Sequence, residues 1–172
     1  MKHPRDLVAV LKERCLTITF VESCTGGFLA SALTDVPGAS DVFRGSFVVY
    51  SNSAKFNLGV DPKVIKEHTG YSEHCALAMA EAGLIQMPVA DISVGVTGSF
   101  NRVDPRNPEN SIPGEVYIAV TGRFRLGSCK TTTAVKVETS SECRHEAKLE
   151  VLQSVLNILE GLFNVTASPE VP

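Results

Sequence analysis

The chain has 172 residues, enough for one domain that buries its own core, and 44% are hydrophobic, which excludes wholesale disorder. Its formal net charge is -3 and no Lys/Arg run stands out, so a nucleic-acid footprint is not expected. No apolar segment is long enough to span a bilayer, and the charged start is followed by a stretch broken at Lys12, Glu13 and Arg14, a poor signal peptide.

Taken in order, the first helix is expected over 6–14, where Leu7, Val8, Val10 and Leu11 recur at helical spacing. A buried strand follows at 16–21, β-branched and apolar. Beyond Gly26-Gly27 a short helix is expected over 28–33, stopped by the turn Asp35-Val36-Pro37-Gly38. Residues 46–50 read as a second strand. The next helix, 52–58, ends at Gly59, and Asp61-Pro62 starts another. Ser72 caps an Ala-rich helix to about Gln86. A third strand is expected over 91–96, then an irregular loop over 99–113 and strands over 115–121 and 129–137. The closing helix, 140–163, aligns Ala147, Val151, Val155, Leu159 and Leu162 on one stripe. The chain is expected to fray from Ala167.

Strands alternating with helices predict an α/β fold, a three-layer α/β/α sandwich on a mixed, mainly parallel central sheet, as one domain with its core over 5–163. Sites in such sheets lie at the carboxyl ends of the strands. Three polar clusters fall there: Ser23 with Thr25, Gly26 and Gly27; Tyr50-Ser51-Asn52 with Lys55; and Thr97-Gly98.

Ser23 follows a buried strand and precedes two glycines that open a helix. It serves either as a nucleophile, with free amides at the helix start holding an anion, or with Thr25 as a helix cap. A nucleophilic serine needs a base. None of His3, His68, His74 and His145 sits at a predicted strand end. Lys55, one helical turn after Tyr50-Ser51-Asn52, is the alternative if its amine is kept neutral, and is otherwise a solvated charge. Arg144 is a candidate for an anionic substrate group or an ordinary surface arginine. The histidines match no zinc spacing, and the five cysteines contain no CxxC pair, which points to reduced thiols in a cytoplasmic protein. Cys24 ranks below Ser23 because neighbouring side chains on this turn point elsewhere.

The runs Val21-Glu22-Ser23-Cys24-Thr25-Gly26-Gly27 and Leu33-Thr34-Asp35-Val36-Pro37-Gly38, with Val49-Tyr50-Ser51-Asn52, Ala54-Lys55, His68-Thr69-Gly70 and Val96-Thr97-Gly98, resemble the C-terminal domain of the CinA family. The resemblance covers about residues 5–163. It implies a nicotinamide-mononucleotide deamidase that forms nicotinic acid mononucleotide and ammonia, with no metal or cofactor. By the same resemblance Ser23, Lys55 and Tyr50 are catalytic, and Thr25, Gly26, Gly27, Asn52, Thr97, Gly98 and Arg144 bind substrate, with amides near Gly26-Gly27 on the oxyanion and Arg144 on the phosphate. It further implies a small-molecule nucleotide substrate and a homo-oligomer. The second, N-terminal domain that such proteins often carry is not expected here.

The sequence departs from the family after Thr97-Gly98, where a usual glycine-rich stretch becomes Ser99-Phe100-Asn101-Arg102-Val103-Asp104-Pro105-Arg106. Arg102 or Arg106 then becomes an alternative phosphate ligand. Two other readings stay open: the same machinery acting on another amide or ester, and a non-catalytic nucleotide-binding or regulatory protein.

Overall fold

In a computed structural model, residues 1–126 and 129–165 are described, and the expected fraying from Ala167 lies outside them. The elements run α1 (Pro4–Glu13), β1 (Ile18–Glu22), α2 (Phe28–Thr34), β2 (Phe43–Val48), α3 (Asn52–Leu58), α4 (Pro62–His68), α5 (Glu73–Gln86), β3 (Ile92–Gly98), β4 (Glu115–Leu126), β5 (Cys129–Glu138) and α6 (Arg144–Val165).

The sheet order is β2-β1-β3-β4-β5. β1 pairs in parallel with both β2 and β3, whereas β4 lies antiparallel to β3 and β5 antiparallel to β4. β4 alone therefore runs against the other four strands. α1, α2 and α6 cover one face, where Leu7, Leu11, Leu29, Val155 and Leu159 enclose Ile18, Phe20 and Val94. α3, α4 and α5 cover the other, where Leu58, Val60, Cys75 and Met79 meet Val21. This is the three-layer sandwich with a mixed sheet. No helix among the described residues is long and apolar enough to cross a membrane.

Local chemistry sets most boundaries. Ser51, Asp61 and Ser72 cap α3, α4 and α5 by accepting the amides of Ala54, Lys63 and Cys75. Several boundaries differ from expectation, and three of them have a visible cause. β1 starts at Ile18 because the Thr17 amide and hydroxyl go to the Asp91 carboxylate, at 2.8 and 2.7 Å. β2 starts at Phe43, before the expected 46, because the strand absorbs Arg44 as a bulge: Ile18 pairs with Phe43 but Thr19 with Gly45. α6 starts at Arg144 rather than 140, since Ser140 and Ser141 are held outside the helix by Glu150 and Glu146. The predicted stripe holds in α6: Ala147, Val151, Val155 and Leu159 are buried, with Leu162 packed beside them.

α5 lies unusually close to the sheet because its inner face is small. A Cβ on Gly95 of β3 would collide with the Ala76 carbonyl and stand 2.8 Å from the Ala80 amide nitrogen. A Cβ on Gly83 would stand 2.6 Å from Val21 Cγ2. At Gly95 the strand backbone meets the α5 backbone, which only glycine permits at that position.

Candidate functional site

β1 is the middle of the three parallel strands, and alternation along it sorts the residues at its end. Phe20 packs into the core under α2 and α6, Val21 into the core under α3 and α5. Glu22 follows Phe20 and meets α2; Ser23 follows Val21 and meets α3. The Ser23 amide donates to the Val96 carbonyl at 2.9 Å, which ties the turn to β3. Gly26 and Gly27 then adopt φ of 64° and 92°, left-handed values that a Cβ would strain.

Lys55 lies on α3, which starts just after β2, and its Nζ is 3.1 Å from Ser23 Oγ. Ser23 is 6% exposed and Lys55 3%. Burial holds the Lys55 amine below its ordinary 10.5, while the Cys75 and Cys24 thiols act in the opposite, smaller sense. Among the described residues no carboxylate pairs with Lys55. The thiols are poor nucleophiles: burial pushes Cys24 up to about 12 and Cys75 up to about 11. Cys24 turns into the core under α2 and α6.

Glu22 is fully buried and was not singled out from sequence. Its carboxylate accepts the amides of Gly27, Leu29 and Ala30, each at 3.0 Å, and the Ser46 hydroxyl at 3.3 Å. The amides around Gly26-Gly27, expected to hold an oxyanion, are thus already committed, since Gly26 donates to the Ser23 carbonyl. The protein's own carboxylate fills that slot. The amides of Cys24 and Thr25 donate to no oxygen among the described residues and lie beside the Cys24 thiol. The buried Thr25 hydroxyl also has no hydrogen-bond partner among the described residues. These two amides follow directly on Ser23, where an oxyanion site is expected of a serine nucleophile on a strand-to-helix turn.

The remaining predicted residues divide. Tyr50 is 65% exposed and bonds to neither Ser23 nor Lys55. It lies within electrostatic reach of Tyr71, whose hydroxyl donates to Asp104 at 2.8 Å. Asn52 is exposed on the first turn of α3, beside Gly70. Thr97 donates to the Gly70 carbonyl at 2.6 Å, and a Cβ on Gly98 would stand 2.6 Å from Val116 Cα, so both positions also serve packing. The Arg144 guanidinium lies 5.2 Å from the Phe100 ring centroid, and its field reaches the Cys24 thiol. Arg106 pairs with Asp104 of its own loop, and Arg102 binds Ser99 through its carbonyl. His3 caps α1, His68 stacks on His74, and His145 meets Phe28 edge-on, so none serves Ser23. Among the described residues no three His, Cys, Asp or Glu side chains gather as a metal site.

Lys148 was also missed. Its Nζ lies 3.9 Å from the position a Cβ on Gly26 would take. The sequence signal was its place one helical turn after Arg144, which puts both on one face of α6. Two surface grooves, of about 690 Å³ along α1 and α6 and 290 Å³ beside Arg44, lie away from Ser23.

The family model described as the CinA C-terminal domain matches residues 2–163. A putative competence-damage inducible protein of Moorella thermoacetica is 47% identical over 88% of this chain and 34% of its own length. A CinA-like protein of Chlorobaculum tepidum is 39% identical over 87% of this chain and 34% of its own length. The chain thus spans about a third of the length of these curated relatives. The crystal structure of a competence/damage inducible protein from Agrobacterium tumefaciens superposes with a TM-score of 0.80 at 28% identity, covering 92% of each chain.

Proposed function

The chain belongs to the CinA C-terminal domain family, and from that premise we propose that it is a serine/lysine amidohydrolase converting nicotinamide mononucleotide to nicotinic acid mononucleotide and ammonia. The observation that carries this reading is the buried contact of Lys55 Nζ with Ser23 Oγ at 3.1 Å, with no carboxylate paired to the amine among the described residues. An amine so placed is readily neutral, and a neutral amine accepts a proton.

Lys55 takes the Ser23 proton as Oγ attacks the carboxamide carbon. The developing oxyanion is held by the Cys24 and Thr25 amides. Protonated Lys55 then delivers its proton to the departing nitrogen, and ammonia leaves. Water, deprotonated by the same amine, attacks the acyl-serine; the proton returns to Ser23 and the carboxylic acid is released. Exposed Tyr50 is assigned to orienting the substrate rather than relaying the proton. The loop anchored by Tyr71 and Asp104 favours a second reading, in which the same pair acts on another amide or ester.

Ammonia release from nicotinamide mononucleotide by purified protein tests the reading. Ser23→Ala is expected to reduce turnover by ~10³-fold or more while the fold persists. Release that survives Ser23→Ala removes the nucleophile. No release from folded wild type removes this substrate, and a panel of amides and esters then tests the second reading.

A further inference from the structure

Lys148 and Arg144 present two cations, one helical turn apart on α6, to the turn that carries Ser23. Lys148 is half-buried, and no ion pair or hydrogen bond engages its amine among the described residues. The acidic residues flanking it on α6 are occupied: Glu146 binds Ser141 at 2.6 Å, and Glu150 binds the Ser140 amide at 2.7 Å. Lys148 leans instead toward Gly26, where the missing side chain leaves room. Arg144 is exposed, lies over the buried Phe100 ring and has no carboxylate partner among the described residues, whereas Lys148 is half-buried. A partly desolvated cation without a counter-charge is unfavourable unless a ligand supplies one.

The amides of α2 supply no alternative anion site, because Glu22 occupies them. Any anionic group brought to Ser23 must therefore find its counter-charge elsewhere. We propose that Lys148 is a further, specificity-determining residue for a phosphate monoester on the substrate, standing beside Arg144, to which the family resemblance already gives the phosphate. Arg144 offers a planar fork to two phosphate oxygens and Lys148 a point charge to the third. The proposal rests on Ser23 as the centre that the substrate reaches.

The test is binding rather than turnover: titration of wild type, Lys148→Met, Lys148→Arg and Lys66→Met with ribose 5-phosphate, and with ribose as the uncharged counterpart. Wild type is expected to bind ribose 5-phosphate far more tightly than ribose. Lys148→Met weakens it roughly tenfold or more, and Lys148→Arg restores most of it. Lys66→Met, on exposed α4, changes net charge equally and leaves binding as it was. Equal binding of ribose and its phosphate by wild type, or undiminished binding by Lys148→Met, overturns the proposal. The amidase reading is judged apart. Lys148-dependent phosphate binding without ammonia release from nicotinamide mononucleotide removes that substrate and keeps the subsite. Ammonia release with an unchanged KM for nicotinamide mononucleotide in Lys148→Met removes the subsite and keeps the amidase.

Discussion

Lys55 is a residue whose usefulness opposes the stability of the fold. Its amine is buried against one hydroxyl, and desolvation holds it below 10.5. Below the lowered folded value both states are protonated and the full penalty stands. As pH rises from that value toward 10.5, the unfolded chain holds the extra proton, so stability increases across the window. Lys55→Met is therefore expected to abolish turnover yet stabilise the protein by about 0.5–2 kcal/mol near neutrality. Thermal unfolding of both proteins across the alkaline range checks this, and their Tm gap should narrow as pH climbs. A destabilised Lys55→Met would show that the amine is not strained. The same sign governs catalysis, since kcat/KM should rise with pH as Lys55 loses its proton.

Among the elements, α2 has an unusual source of capping. Its N-cap is Gly27, which has no side chain to offer, and the acceptor comes from Glu22 on the preceding strand. Glu22→Ala would leave three amides without their acceptor, a loss of about 3 kcal/mol or more, measurable by urea unfolding. Turnover should fall with it, because the same contacts set the Ser23 turn. This cap was not legible in the sequence, since its partners meet only after β1 and α2 fold together. The caps of α4 and α5 were legible, because Asp61 and Ser72 act within three residues of themselves; Ser51 caps α3 in the same local way but was not read from the sequence. The meeting of Ser23 and Lys55 was partly legible: each follows the end of a parallel strand, and strands β1 and β2 are neighbours. The Arg44 bulge was not, because an arginine followed by glycine reads as a turn until its strand partner is known. Lys148 was hidden for a similar reason, as the space over Gly26 exists only once α6 has crossed the turn.

At the scale of the whole molecule, the parallel strands bring Ser23 and Lys55 together at their carboxyl ends, while the layers behind them set the rigidity of the sheet. The contact of α5 with β3 is the tightest part of that support. Gly95→Ala should clash with the α5 backbone and destabilise the protein by about 1–3 kcal/mol or more, read as a lower urea midpoint. The same closeness has a kinetic consequence. With backbone against backbone at Ala76, Ala80 and Gly95, α5 has no side-chain cushion on which to slide or lift. Amide hydrogens at 76–83 and 93–96 should therefore exchange with deuterium together, at one slow rate set by opening of the entire fold. Faster exchange from α5 alone would mean that the floor beneath Ser23 breathes independently of the sheet.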